Sequence, residues 1–315
     1  MLKFLALYAN PRGAEKLQLH EEMRSIQDDI EWTQVSQIKF DAVDFVKKSD
    51  LLRKLQHYQP DVILFSGHGT EDGSLVLEDE KRRIAVVPPQ VLESIFLNFK
   101  DSIKCVVLLC CFSDKQAKAI SKHIPFVIGM KDEIDDKAAR LFASKFFQSV
   151  VLGYSIQKSF NMAKIEVSLI EENWEDIPSL FSKRNCNPET AVLLPKPRIE
   201  AKFKLNANGR PIKSNDLFEL EVFITNAPQE VSTVFYQYLE PAWDLEDQIE
   251  ECRNPKTHFT DTLSEDGDIE IRASLWRSND GTAISCTLGE ALRSYYKTNL
   301  TEPINAAIKA IEANR

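Results

Sequence analysis

The chain has 315 residues and a net charge of −9, with 43% hydrophobic and 28% charged residues, the balance of a protein that buries a substantial core and divides naturally into two domains. That acidity speaks against a nucleic-acid or anionic-membrane surface as the main business of the molecule, and no run approaches the roughly eighteen apolar residues of a membrane span. Six cysteines without C-x-x-C or histidine-spaced pairs exclude the usual zinc patterns, so no metal is expected. With no export signal in the short apolar "MLKFLALYANPRG", they point to free thiols in a reducing cytosol, and the cytoplasm is the expected location.

From residue 1 to about 195 strand and helix patterns alternate. "LKFLALYA" (2–9) is a short continuous apolar run, the kind buried on both faces of a parallel sheet. Leu19, Met23, Ile26 and Ile30 recur at helical spacing, "IKFDAV" (38–43) reads as a strand, and Ser49 and Asp50 open a helix that Pro60 closes. "DVILFSGHG" (61–69) is a third strand running into a glycine turn, and "GSLVLEDEKRRIAV" a small hairpin. A helix from "PPQVLESIFLNF" follows, then the strand "KCVVLLCC" (104–111), a helix from "DKQAKAISKH", and the strand "IPFVIGM" (124–130). Two further amphipathic helices, "DDKAARLFASKFFQSVV" and "SIQKSFNMAKIEVSLI", complete a set of βα units that implies a mixed sheet sandwiched by helices.

After Leu194 the period changes. The segment 196–215, rich in proline and carrying an Asn-Gly pair, reads as a linker. Period-two runs at 217–225, 232–240, 268–276 and 282–288, with a turn at Asn279-Asp280-Gly281, predict a small antiparallel sandwich over 216–315 that ends in a helical tail.

Chemistry is expected at the carboxyl ends of the parallel strands. Two of those ends carry reactive residues: His68 within "FSGHG" and the pair Cys110-Cys111 within "LLCCFS". A thiol becomes a good nucleophile as thiolate, and a neighbouring histidine is the usual means. Strand alternation puts Val106, Leu108 and Cys110 on one face and Val107, Leu109 and Cys111 on the other, so Cys110 reads as a buried thiol and Cys111 as the one facing the loop. Taken singly, each is as well explained by packing or by a loop; the pairing at two strand ends is what points to a thiol-protease dyad.

The stretches "LALYANPRG…LQLHEEMRSI", "DVILFSGHGTEDGSLVLED", "CVVLLCCFSDKQAKAISKHIPFVIGMKDEIDDKAARLFASKFFQSVVLGYSI" and "AVLLP" resemble, in order and spacing, the CHAT domain, a branch of the caspase-like cysteine peptidases that also includes separase-type proteases. The resemblance covers nearly all of residues 1–195 and implies a caspase-like sheet sandwiched by helices, with Cys111 as nucleophile and His68 as general base. It also implies an oxyanion hole from the N–H groups of Gly69 and Cys111, no fixed third catalytic residue, and no cofactor. The family commonly has Asn where this chain has Leu109, and alanine where it has Cys110. Asp132 in "GMKDEIDD" falls where the separase branch contacts a basic residue before the scissile bond, implying cleavage after Arg or Lys; Asp132, Glu133, Asp135 and Asp136 also suit a solvated helix N-terminus.

The C-terminal region is similar to prokaryotic YEATS-like (pYEATS) immunoglobulin-type sandwiches, through "FELEVFITNAPQEVSTVFYQYLEPAW" and "GDIEIRASLW". Relatives bind acylated lysine in an aromatic cage; Phe235, Tyr236, Tyr238, Trp243 and Trp276 supply aromatics here, but alternation divides them between faces, as in a sandwich core. Docking of a regulatory protein is the preferred expectation for this region. The resemblance further implies a bacterial defence or conflict effector. Two readings compete with an active endopeptidase: a catalytically silent scaffold of the same fold, and a plain ligand-binding α/β module, the latter discouraged by the lack of a G-x-G-x-x-G turn or P-loop.

Overall fold

The computed structural model describes residues 1–33, 35, 37–169, 174, 176–214, 217–226, 233–239, 249–252, 259–263, 270–277, 280–297 and 299–313. The chain divides into two compact units, Met1–Pro195 and Lys196–Arg315.

In the first unit, β1 (Leu2–Tyr8), α1 (Leu19–Trp32) and β2 (Ile38–Val43) are followed by a 3-10 turn (Lys48–Asp50), α2 (Leu51–Tyr58) and β3 (Val62–Ser66). A hairpin of β4 (Leu75–Glu78) and β5 (Ile84–Val87) leads to α3 (Pro89–Asn98), β6 (Cys105–Leu109), α4 (Asp114–Ile120) and β7 (Phe126–Met130). The unit closes with α5 (Asp136–Val151), α6 (Ile156–Ser168) and β8 (Pro178–Ser182). The main sheet has the order β2-β1-β3-β6-β7-β8, parallel except for β8, which runs antiparallel to β7.

Both faces of this sheet are covered, which is why its central strands β3, β6 and β7 are buried at every position and almost wholly apolar. Phe4, Ala6, Val62, Leu64, Cys105, Val107 and Leu109 pack with residues of α1, α5 and α6, including Ile26, Phe142, Phe146 and Phe160. Leu5, Leu7, Ile63, Phe65, Val106, Leu108 and Cys110 pack on the other side with Leu55 of α2, Leu92 and Phe96 of α3, and Ala117 and Ile120 of α4. Each large side chain enclosed in this way contributes roughly 1.5–3 kcal/mol. The mixed sheet between two helical layers is the architecture expected from the sequence.

Local departures have physical reasons. Ser49 does not cap α2: its hydroxyl donates to Glu80 Oε1 at 2.7 Å, and the helix starts at Leu51 behind the 3-10 turn. Asp135 does cap α5, its carboxylate accepting from the N–H groups of Lys137 and Ala138. The strand β8, unexpected from the pattern, is a short, partly exposed edge strand that begins with a proline and so lacks a two-sided apolar run.

The second unit contains β9 (Arg198–Phe203), β10 (Lys213–Ser214), β11 (Leu217–Thr225), β12 (Thr233–Leu239) and β13 (Ile249–Cys252), then β14 (Phe259–Leu263), β15 (Glu270–Arg277) and β16 (Asp280–Thr287), and finally α7 (Leu288–Tyr296) and α8 (Glu302–Ala313). One antiparallel sheet has β11 between β14 and the pair β9 and β10; the other has the order β13-β12-β15-β16. The segment read as a linker holds β9, whose Ile199, Ala201 and Phe203 alternate into the core opposite Phe218, Leu220, Val222 and Ile224 of β11. The polar positions between them form cross-strand ion pairs, Lys202–Glu221 at 2.7 Å and Lys204–Glu219 at 3.4 Å.

The helical tail is part of this core. Leu288, Leu292 and Tyr296 of α7 and Ile304, Ile308 and Ile311 of α8 pack with the buried face of β9 and β11. Thr287 and Glu290 form a reciprocal capping box at the start of α7, and Arg293 joins Glu312 through two hydrogen bonds at 2.7 and 2.5 Å. In β15 and β16, Arg277 pairs with Asp280, so Asp280 and Gly281 belong to the strand and Asn279 lies outside the described residues. Among the aromatics considered for a cage, Phe235, Tyr236 and Tyr238 fall in β12 and Trp276 in β15, while Trp243 lies outside the described residues.

One carboxyl lies inside the first unit's core. Glu22 of α1 is buried and accepts from the Ser66 hydroxyl at 2.9 Å; its other oxygen and the Tyr8 hydroxyl are enclosed without a partner among the described residues. Burial pushes the Glu22 carboxyl up to about 8, with the Ser66 hydrogen bond opposing. The native state therefore keeps a proton that the unfolded chain releases, so this contribution to stability is complete below the ordinary carboxyl range and is lost as pH rises through about 8. Glu22→Gln, neutral at every pH, should match the wild type in urea unfolding at pH 4 and exceed it by a few kcal/mol at pH 9.

Candidate active site

The register of β3 and β6 builds the site. Their last paired residues are Ser66 and Leu109, and the Gly67 N–H donates to the Leu109 carbonyl at 3.4 Å. His68 and Cys111 each stand two residues beyond that pair. Val62 and Leu64 of β3, like Cys105, Val107 and Leu109 of β6, face the α1, α5 and α6 layer, and His68 and Cys111 follow in the loops at the same end of the sheet. Cys110 points into the opposite layer, where burial pushes its thiol up and out of reach of neutral-pH chemistry.

Gly69 brings the two loops into backbone contact. A Cβ at this position would lie 2.1 Å from the Cys111 carbonyl oxygen and 3.3 Å from its nitrogen, so no other residue fits without moving one chain. The Gly69 N–H donates to no acceptor among the described residues, whereas the Thr70 N–H is held by Ser74 O at 3.1 Å and His68 O accepts from Val76 N–H at 3.1 Å.

His68 is partly exposed, with Nε2 2.8 Å from the main-chain carbonyl oxygen of Glu15 in the loop between β1 and α1. A carbonyl only accepts, so Nε2 carries the hydrogen, and in the neutral ring the lone pair is on Nδ1. The histidine is thereby oriented by a third group that sequence reasoning missed: a main-chain acceptor has no residue type by which to find it.

The turn after β6 is tight. Phe112 has φ +56°, a left-handed conformation uncommon for a side chain of its size. It is held by Ser113, buried, whose hydroxyl donates to Leu108 O at 3.0 Å and accepts from Met130 N–H at 2.9 Å, tying the turn to the end of β7. The Phe112 N–H reaches Asp132 O at 3.5 Å. The acidic segment after β7 thus lies beside Cys111, with Asp132 and Glu133 exposed and Asp132 Oδ1 accepting from the Glu133 N–H at 2.8 Å.

Cys111 is half-buried, and burial raises its thiol above the ordinary range. The nearby carboxylates of Glu133 and Asp132 add to this, while an N–H of Ile134 directed at the sulfur opposes it. The resting Cys111 is therefore a protonated thiol, and Nδ1 of the neutral His68 ring is the nitrogen that can take a proton. Among the described residues Cys105, Cys110, Cys111 and Cys186 are free thiols, no group of three His, Cys, Asp or Glu side chains is placed to hold a metal, and no helix is long and apolar enough to cross a membrane.

No family model matches the chain. It is 26% identical over 157 residues to a Roc-COR-CHAT protease from an unknown prokaryotic organism, covering 46% of this chain and 14% of that protein. It is also 26% identical over 157 residues to a probable protease of Gillisia limnaea (strain DSM 15749 / LMG 21470 / R-8282), covering 48% of this chain and 27% of that protein. The matches thus span little more than a quarter of these relatives at most. Solved structures with some likeness include the Arg-specific cysteine proteinase gingipain R (TM-score 0.46, 7% identity, 90% of this chain and 66% of that one) and caspase-1 from Spodoptera frugiperda (TM-score 0.41, 12% identity, 57% and 85%).

Two outcomes follow from this geometry. In the resting protein the iodoacetamide reaction of Cys111, read by peptide mass spectrometry across pH, should have its midpoint above the roughly 8.5 of an ordinary thiol, and the double variant Asp132→Asn, Glu133→Gln should move it down. Gly69→Ala should lower stability by roughly 1–3 kcal/mol in denaturant unfolding, as expected for overpacking against a backbone that cannot yield.

Proposed function

We propose that the chain is a cysteine endopeptidase that cuts a protein substrate with a His68–Cys111 dyad. One observation carries the reading: the two residues stand equally far beyond a shared register pair, in the loops at the carboxyl ends of adjacent parallel strands. The similarity to proteins named as proteases supports the same reaction class.

The thiol proton passes to Nδ1 of His68 as the sulfur attacks the peptide carbonyl carbon. The negative oxygen is received by the N–H groups of Gly69 and Cys111. The C–N bond then breaks, and the imidazolium gives its proton to the leaving amine. Water deprotonated by the same ring attacks the thioester, releasing the acyl group as a carboxylic acid and restoring the thiol. Because Nε2 stays bonded to Glu15 O, the ring need not turn between these steps.

The acidic surroundings of the thiol support Arg or Lys immediately before the scissile bond, with Asp132 as its partner. A cation bound there also offsets the carboxylate repulsion that adds to burial in raising the Cys111 thiol. From the family resemblance we assign residues 216–315 to a pYEATS-like module that docks a regulatory protein, and the whole to a cytosolic bacterial defence effector. The raised Cys111 thiol favours a second reading, a catalytically silent scaffold of the same fold.

A peptide panel varied at the residue before the cut, together with N-terminal peptide mapping of a cell lysate, separates the two. An active enzyme should cleave after Arg or Lys, and His68→Ala and Cys111→Ala should each lower kcat/KM by roughly 10³-fold or more. Asp132→Asn should cost about 1.5–3 kcal/mol, tenfold or more, on basic peptides only. Cleavage that survives in Cys111→Ala, or none by the wild type under any condition tried, would sink the peptidase reading.

A further inference from the structure

The carbonyl that orients His68 belongs to an exposed residue in an exposed loop, and such a loop keeps one oxygen in place only if it is anchored. Its ends are tied to β3 and α5, where the Ala9 N–H donates to Ser66 O at 3.1 Å and the Gln18 N–H to Asp136 Oδ2 at 3.0 Å, and its middle is tied to the hairpin of β4 and β5. The Asn10 N–H donates to Glu78 Oε1 at 3.2 Å, the Arg12 N–H to Arg82 O at 2.7 Å, and Asn10 Nδ2 reaches across the loop to Leu17 O at 3.1 Å. Glu78 is fully enclosed; its second oxygen accepts from Arg82 Nε at 3.1 Å, and the Arg82 guanidinium lies 3.6 Å from the centre of the Phe45 ring.

The same hairpin carries the histidine. It begins a few residues after His68, its Val76 N–H donates to His68 O, and Leu75 bridges to Gly69. Base and orienting carbonyl are therefore mounted on one element. Stability alone does not call for a charge at this point, because a buried carboxylate paired with a partly exposed guanidinium gains little over an apolar replacement. What the carboxylate supplies is a fixed acceptor for the loop.

We propose that Glu78 is a positioning residue for the His68 reaction: through Asn10 and Arg82 it locks the loop from Ala9 to Gln18 so that Glu15 O holds the hydrogen on Nε2 and leaves Nδ1 toward the reacting atoms. This rests on the reading of His68 as the general base, but its test needs no turnover. Side-chain ¹⁵N spectra of His68 in the full chain, recorded on the neutral ring, report which nitrogen is protonated. The wild type should show the Nε2–H tautomer alone. Glu78→Ala should show a mixture of tautomers and, on a cleaved peptide, a roughly 10- to 100-fold lower kcat at little-changed KM. Glu78→Gln keeps an oxygen for the Asn10 N–H and should retain the wild-type tautomer. A folded Glu78→Ala with an unchanged His68 spectrum overturns the proposal. If Glu78→Ala does not fold, Glu78→Met, which fills the same space without an acceptor for the Asn10 N–H, decides in the same way: mixed tautomers sustain it and an unchanged ring overturns it. A wild type that cleaves nothing counts against the peptidase reading and leaves the spectrum to settle this one.

Discussion

Parallel pairing of β3 with β6 is the constraint on which the candidate site depends. The ladder ends at Ser66 and Leu109, and everything beyond is aligned by that pair. Gly67 and Gly69 let the β3 loop run against neighbouring backbone, touching Ala9 on one side and Cys111 on the other, at distances that exclude a side chain. A parallel sheet buried on both faces cannot slip in register without turning its apolar residues to the wrong layer. The rigidity of two hydrophobic layers is thereby transmitted to two short loops, and the positions of a histidine and a cysteine far apart in sequence become a property of the core.

Around this pair the electrostatics are set for a resting state. The thiol sits half out of water beside two carboxylates and is held protonated, while the histidine is already turned by a main-chain oxygen. Orientation is built into the fold and ionisation is deferred. A site of this kind spends little time as an exposed thiolate, the form most open to oxidation.

Much of the first unit was legible in the sequence because two-sided burial leaves continuous apolar runs, and β1, β3, β6 and β7 coincide with such runs, while the edge strand β2 shows as the alternation "IKFDAV". The candidate pair was legible for the same reason: once the strand ends are placed, His68 between glycines and Cys111 at a strand's outer end are read off by counting. What escaped notice lacked such a signature. β8 is a short edge strand opening on a proline, β9 hides its Ile199, Ala201 and Phe203 behind the prolines that precede it, and β13 and β14 are only four and five residues long. The Glu15 carbonyl is main chain, and Glu78 looked like one more acidic residue in a charged hairpin. Its enclosure is visible only when Asn10, Arg82 and Phe45 are brought around it by the fold.

The use of a backbone oxygen to steer His68 has an evolutionary corollary. Every residue at position 15 offers the same carbonyl, so point mutation there can alter the side chain without touching the orienting group. What cannot vary freely is the number of residues between Asn10 and Leu17, because one added or deleted residue would carry a different carbonyl past the ring. Related chains that keep this arrangement should therefore differ widely in the composition of that segment and hardly at all in its length, and indels there would be purged while substitutions drift.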